Sequence, residues 1–483
     1  MRKKTIARSA DKPLPDRETT GNAGTPLSAE DTAERAGTSA EDMKESAGTP
    51  LREGFTTGSA ATAAALAALR LLLTGKAPTA VAIPLPPFTN GKERARLTVP
   101  VEACSLMRAD SRTAAPSAAS AGMQRGSTSA RTLDSSAGSS PAAHGTPPAT
   151  TADARTADCS TPPIPTADTS NPFFHAAAWP AATALVIKDG GDDPDATAHA
   201  RIRVCLSAAL HHGDSTTPVH VTLEGGAGVG RVTLPGLPMP VGQPAINPAP
   251  REQITRAVQM ECRARALCGE IRVIISVEDG ETLARQTMNA RLGIVGGISI
   301  LGTQGIVKPF SHSAWQASVL QGLRVARAVQ CRSICLSTGR RSEKLLMALR
   351  PNLPEPAFVQ AADFAGFSLR AAGELGFTDI VWGCFFGKLV KLAQGLEYTH
   401  AHTAALDIPL LTRLAAEAGM EDISALGQCI TANHALEHLL AHTAGPAVIR
   451  RLGGMAQANA QAFAGRPVSL ILFHLDGRTL LTL

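Results

Sequence analysis

Large apolar residues are nearly absent up to about residue 52 and then gather into short runs separated by glycine, proline and charge. The first such pattern, REGFTTGSAATAAALAALRLLLTG from Arg52, predicts a turn, a cap at Thr57 or Ser59 and a helix closed by Gly75. Val81–Leu85 and Ala95–Val101 read as strands around an Asn90-Gly91 turn. Ala184–Ile187, Ala200–Ser207, Val219–Leu223 and Gly230–Thr233 read as further strands, closed by a helix-patterned run Pro250–Leu267 and a strong strand Ile271–Val277. From residue 297 strands and helices alternate. Ile298–Leu301 leads to a helix near Ser313–Val329, Ser333–Ser337 to Ser342–Arg350, Ala357–Gln360 to Phe364–Leu375, and Asp379–Trp382 to Lys388–Ala393. Such alternation predicts a parallel sheet covered on both faces. Val468–Phe473 and Thr479–Leu483 close the chain as a hairpin around Asp476-Gly477. The fold class is α/β: a β-rich α+β domain over residues 52–290, then a Rossmann-like parallel-sheet domain over 291–483.

Two stretches lack any period. Residues 1–51 are polar, with Ala-Gly-Thr and Ser-Ala-Glu-Asp recurring, and carry too little apolar surface to offset ordering entropy, which predicts a disordered tail. Between Ser105 and Ser170, 44 of 66 residues are Ala, Ser, Thr or Pro, so 105–170 is read as a solvated insertion within the first domain. The net charge of +5 and an aromatic content of 4% argue against a nucleic-acid binder. Nine cysteines without a CxxC pair fit a reduced, cytoplasmic protein without a zinc site. The basic start reaches no apolar h-region, and Ser59–Thr74 reads as a buried core helix rather than a membrane span.

Chemistry concentrates around Leu292–Ser311, where Gly293, Gly296, Gly297, Gly302 and Gly305 surround one apolar run. A strand, the Gly302-Thr303-Gln304-Gly305 turn and a helix capped by Ser311 together offer backbone N–H groups to an anion. A tight turn with no ligand is the competing reading. The expected strand ends carry Lys308, Arg340 with Arg341, and Lys388, which suit an anionic ligand. No G-x-G-x-x-G with a following acid and no Walker A sequence is present, which disfavours a dehydrogenase or P-loop enzyme. Asp189, Asp192, Asp193 and Asp195 crowd the loop after Ile187; such density suits a cation, a base with a raised pKa, or simply an Asp/Gly/Pro turn. His400, His402 and Asp407 read as a helix-cap region more readily than as metal ligands. The proline-rich connection Leu234–Glu252 could wall a pocket or merely connect.

These blocks in series resemble the cobalt-precorrin-5B C(1)-methyltransferase family, CbiD, of anaerobic cobalamin biosynthesis. The resemblance rests on REGFTTGSAATAAA (Arg52–Ala65), VAIPLP (Val81–Pro86), VIKDGGDDPDAT (Val186–Thr197), GAGVGRVTLPGLPMPVGQPAINPAPRE (Gly226–Glu252), ARLGIVGGISILGTQGIVKPFS (Ala290–Ser311) and GKLVKLAQG (Gly387–Gly395). Cys384-Phe385 stands where the family has Gly-His, and Gly339-Arg340-Arg341-Ser342-Glu343 where it more often has G-N-R-G-E. The resemblance implies methyl transfer from S-adenosylmethionine to an anionic tetrapyrrole that brings its own cobalt, with no metal site in the protein. On this reading Gly296, Gly297, Gly302, Thr303 and Gly305 contact the donor. Lys308, Arg340, Arg341 and Lys388 hold substrate carboxylates, and Asp192 or Asp193 takes up a proton. A homo-oligomer is compatible with it, and neither nucleic acid nor membrane is implied. Another nucleotide-dependent group transferase and a non-catalytic tetrapyrrole scaffold stay open as alternatives.

Overall fold

The computed structural model describes residues 50–88, 95–107, 179–213, 218–401, 405–421 and 423–483. The tail up to residue 49, the Asn90-Gly91 turn, the insertion beyond Met107 and His402 lie outside the described residues. Two main apolar cores organise a mixed α/β architecture of several sheets.

The first core is built on a five-stranded sheet in the spatial order Ala103–Met107, Ala181–Ile187, Arg201–His212, Leu267–Val277, His220–Gly225. Neighbours are antiparallel except the last pair. Ile202, Val204, Leu206 and Ala208 are buried along one strand while their neighbours are less so, the period of two that a one-sided sheet requires. The helix Thr57–Thr74 packs on the strands Ala181–Ile187 and Arg201–His212 and against the helix Pro248–Arg263. Its alanines let it approach the sheet closely, and Thr56 and Gly75 cap its ends. It is long and apolar enough to cross a membrane, but 78% of it is buried against protein.

The second core surrounds a sheet ordered Phe358–Gln360, Ser333–Ser337, Asp379–Phe385, Val468–Phe473, Thr479–Thr482. The first four strands are mutually parallel and the last is antiparallel. A smaller cluster, with Val232, Met239, Leu292, Ile294 and Val325, lies between the two sequence halves.

Three expectations need correction. The strand Ala103–Met107 includes Ser105, which composition assigned to the insertion. It sits at the sheet edge and pairs through its backbone with Ala181–Ile187, so it needs little apolar surface and leaves no compositional mark. The helix expected over Pro250–Leu267 ends at Arg263, and the next strand already begins at Leu267. Most consequentially, Ile298–Leu301 is not a strand of the parallel sheet. Gly297–Ile298 pairs with Gly228–Val229, Ile300 bridges to Ile246, and both isoleucines are buried in the first core. A run this short, interrupted by glycines on both sides, is held by side-chain burial rather than by a long ladder. The fourth parallel strand is instead Val468–Phe473.

Candidate functional site

Three stretches distant in sequence meet at the N-terminal end of the helix Thr57–Thr74. Gly54–Phe55 pairs antiparallel with Ile306–Val307. The Phe55 N–H donates to Asp189 O at 2.8 Å, Thr56 N–H to Gly305 O at 3.1 Å, and Gly58 N–H to Leu301 O at 3.0 Å. The Ser59 hydroxyl donates to Gly305 O at 2.7 Å, and the Thr57 hydroxyl accepts from the Leu301 N–H at 2.9 Å. The Thr56, Gly58 and Ser59 N–H groups at this helix start are thus engaged within the protein.

The four aspartates of the loop after Ile187 divide by environment. Lys188, 2% exposed, pairs with Asp195 at 2.6 Å. Burial pushes the Asp195 carboxyl up, but Lys188 and the N–H and hydroxyl of Thr197 outweigh it and hold it below the usual carboxylate range. Asp189 accepts from the Arg52 guanidinium and from the Gly191 N–H. Asp192 is exposed and accepts the Arg52 N–H at 2.6 Å, so its carboxylate pins the segment that leads into the helix Thr57–Thr74. Asp193 differs from all three. It is half-buried, its carboxylate accepts the Phe310 N–H at 2.9 Å, and burial raises its pKa above the ordinary carboxylate value, with Asp195 adding to the rise. A carboxylate so placed is a better proton acceptor than an exposed one.

The glycines of the central stretch also divide. A Cβ at Gly302, where φ is +137°, would lie 2.2 Å from Thr56 Oγ1. At Gly305, with φ +78°, it would lie 2.6 Å from Leu85 Cδ2, and at Gly297 2.1 Å from Gly228 O. The close approach that the sequence reading gave to a ligand at these three positions is therefore made by protein atoms. Gly296, with φ +82°, has open space beside it, and Thr303 is exposed.

Lys308 belongs to this junction and not to the edge of the parallel sheet. It is exposed, with Glu53 Oε1 at 4.0 Å. Arg340 and Arg341 open the helix Arg340–Leu349 at the carboxyl end of Ser333–Ser337. Arg341 donates to Leu475 O at 2.6 Å and lies over the Phe385 ring, so it secures the closing hairpin. Lys388 lies in the first turn of the helix Phe386–Ala393 and is paired with Asp363 and with Thr399 O. Burial, with the Lys391 ammonium adding to it, brings the Lys388 ammonium down to about 8. The segment between the junction and this edge is Phe310-Ser311-His312. Ser311 caps the helix His312–Ala328 as its sequence implied, and His312 Nε2 shares a hydrogen bond of 3.0 Å with the Tyr398 hydroxyl. The His312 and Tyr398 rings both pack on Phe364, next to Asp363. Asp407 caps the helix Ile408–Glu417, which bears out the capping reading of that region. Among the described residues, no group of three or more His, Cys, Asp or Glu is placed to hold a metal ion.

Residues 44–138 and 174–309 match the CbiD family, and residues 398–482 match the CbiD C-terminal domain. A cobalt-precorrin-5B C(1)-methyltransferase from Nitratidesulfovibrio vulgaris is 55% identical over 307 residues, covering 62% of this chain and 77% of that protein. The chain belongs to the CbiD family. A protein of the same name from Geobacillus kaustophilus is 49% identical over 238 residues, covering 49% of this chain and 62% of that protein. A solved CbiD structure from Archaeoglobus fulgidus, 21% identical over 71% of this chain and 79% of that one, has a TM-score of 0.30, too low to bear on the fold. The CbiD match holds all three stretches of the junction, and it breaks between residues 138 and 174, inside the Ala/Ser/Thr/Pro-rich segment.

Several residues that shape this candidate site escaped the sequence reading. Glu343, 1% exposed, accepts from the Arg291 guanidinium and from Gln360 Nε2 at 2.8 Å, tying the central stretch to the parallel sheet. Glu343 lies next to the conspicuous arginines, and its apolar neighbours Leu345, Leu346 and Met347 are the available hint that this turn faces inward. Asp363, His312 and Tyr398 are isolated polar residues in sequence and become a group only through the fold.

Proposed function

We propose that this CbiD-family chain is a cobalt-precorrin-5B C(1)-methyltransferase, forming cobalt-precorrin-6A in the building of the corrin ring. The observation that carries the reading is 55% identity to a relative of that name over 77% of its length. S-adenosylmethionine supplies the methyl group, whose bond to sulfur breaks as the new bond to C-1 forms. The cobalt arrives with the tetrapyrrole, so the protein needs no ligand set of its own.

The chain's share is positioning, the largest contribution available to a methyl transfer. Gly296, with open space beside it, and exposed Thr303 fit a donor that must approach the backbone. Gly297, Gly302 and Gly305 set the shape of that stretch from behind. Lys308, Arg340, Arg341 and Lys388 are the bases for substrate carboxylates; Lys308 is the one whose only acid neighbour among the described residues is distant and exposed. Asp193 takes up the proton released from the ring; Asp192 holds Arg52 in place. The four parallel strands, as a Rossmann-like domain, together with the α+β first half, frame this site. Cys104, Cys262, Cys331, Cys335, Cys384 and Cys429 are free thiols, which suits a reducing cytoplasm.

The test is single-turnover incubation of purified protein with S-adenosylmethionine and cobalt-precorrin-5B, read by mass spectrometry. One added methyl on the tetrapyrrole is the expected result. Retention of the tetrapyrrole without methyl transfer would make the chain a scaffold, and retention of ATP or NAD in place of S-adenosylhomocysteine would make it another group transferase.

A further inference from the structure

The outer face of the helix Pro248–Arg263 walls an open groove of about 690 Å³, within the range of small-molecule sites. Among its lining residues are Arg251, Arg256 and Arg263 against a single acid, Glu252, with Phe88 and Met260 supplying apolar surface. Arg256 is already oriented: its Nε donates to Glu252 at 2.9 Å, and its guanidinium carbon lies 4.7 Å from the Phe88 ring centre. Arg251 is anchored through its Nε to Ile246 O at 2.8 Å, which leaves the outer edge of its guanidinium as the bidentate face. The opposite face of the helix is buried through Ile254, Ala257, Val258 and Cys262, so the arginines stand on a rigid element.

The helix that carries the groove is joined to the candidate site by direct contacts of its buried face. Ile246, whose carbonyl holds Arg251, bridges to Ile300. Pro250 packs where Gly58 leaves room, and Gln253 donates to Ser59 Oγ and to Pro84 O. Leu85 and Pro86, which lead into Phe88, press on Gly305. The groove therefore lies round the helix from the Gly302–Gly305 turn, linked to it by the Leu85–Phe88 segment and by Ile246.

We infer that this groove is a carboxylate subsite, in which Arg251, Arg256 and Arg263 hold peripheral carboxylate arms of the tetrapyrrole while its reacting edge lies at the glycine turn. The inference rests on the methyltransferase reading above for the identity of the ligand. Planar guanidinium forks match carboxylates bidentately, and arms spaced around a macrocycle match arginines spaced along a helix. Phe88 and Met260 give the macrocycle's apolar margin a surface between them.

Uroporphyrin, a tetrapyrrole polycarboxylate, serves as probe, titrated by absorbance against the full chain, Arg251→Gln, and the double variant Arg256→Gln/Arg263→Gln. Arg451→Gln, an exposed arginine paired with Glu417 elsewhere, is the control for net charge. The subsite predicts that Kd for uroporphyrin rises roughly tenfold or more in each groove variant, the usual scale for a lost charge-assisted pair, while S-adenosylhomocysteine affinity by calorimetry stays within about twofold. Arg451→Gln should leave both unchanged. Unaltered porphyrin affinity in folded groove variants, or no porphyrin binding by the wild type, overturns the inference. Loss of S-adenosylhomocysteine binding instead would assign the groove to the donor and equally overturn it. Failure of wild-type methyl transfer alongside arginine-dependent porphyrin binding would defeat the function and leave the subsite standing.

Discussion

At the junction, Gly302 has a positive φ and Thr56 pressed against the place its Cβ would take. At the carboxyl edge of the parallel sheet, Gly339 has a comparably unusual backbone, φ +154°, with no atom within 4 Å of that place. One glycine is demanded by neighbours and conformation together, the other by conformation alone. The same contrast extends to charges. Around the glycine turn, carboxylates and N–H groups are nearly all engaged with the backbone, so the part richest in motifs is foremost a rigid joint. Along the sheet edge, long side chains hold other side chains and hairpin carbonyls, an arrangement more tolerant of small changes. Conspicuous residues therefore mark structure at the junction, and the proposed base is the carboxylate there that burial raises, Asp193.

Substitution at the two glycines should show the contrast at its largest. Gly302→Val brings both strain and overlap, and a loss of about 4 kcal/mol or more, seen as little soluble folded protein, is expected. Gly339→Ala meets only the backbone cost, about 1 kcal/mol, readable as a small fall in urea midpoint. Equal effects would erase the distinction.

Lys188 sharpens the comparison from within the junction. Lys188→Ala leaves Asp195 half-buried without its counter-charge and should cost about 3 kcal/mol in urea unfolding, partly recovered by Asp195→Asn in the same chain. Because the folded Asp195 pKa is depressed, its contribution is present above the ordinary carboxylate pKa and is lost as pH falls through the folded value. The wild type should therefore lose more stability on acidification than the double variant.

The sheet edge should answer to base instead. With Lys388 at about 8, below its ordinary 10.5, the folded protein sheds this proton first. The cost of keeping it charged is full below about 8 and is relieved between there and 10.5, so this group alone makes stability rise with pH across that window. If the ammonium holds a substrate carboxylate, substrate affinity should fall roughly severalfold over the same window. Lys388→Arg, which keeps its charge, should flatten that limb of the KM profile. An unchanged profile would leave Lys388 a purely internal partner of Asp363.

Much of this was legible in the sequence, for identifiable reasons. The helix Thr57–Thr74, the strands Ser333–Ser337 and Asp379–Phe385 and the closing hairpin follow from apolar periodicity and glycine punctuation. Ile298–Leu301 misled because a short apolar run reads alike whether it joins a large sheet or wedges between small ones. The strand Ala103–Met107 was hidden because an edge strand is held by its backbone. The aspartate loop could be seen as a cluster, yet the partner of each acid could not. That depends on Arg52 and Phe310, which lie 140 and 117 residues away along the chain from their partners Asp192 and Asp193. The ordered position of Lys388 likewise depends on Asp363, outside its own helix.

The most direct test of the account compares Asp193→Asn with Asp192→Asn in single-turnover methyl transfer to cobalt-precorrin-5B. Asparagine keeps an acceptor for the Phe310 or Arg52 N–H while removing the charge, so both variants should fold with nearly wild-type Tm. The account predicts a rate lower by about 100-fold for Asp193→Asn, the low end of what a general base contributes, with S-adenosylhomocysteine affinity unchanged and Asp192→Asn close to wild type. Equal rates in the two variants, or a slow Asp193→Asn enzyme that has also lost S-adenosylhomocysteine binding, would contradict it.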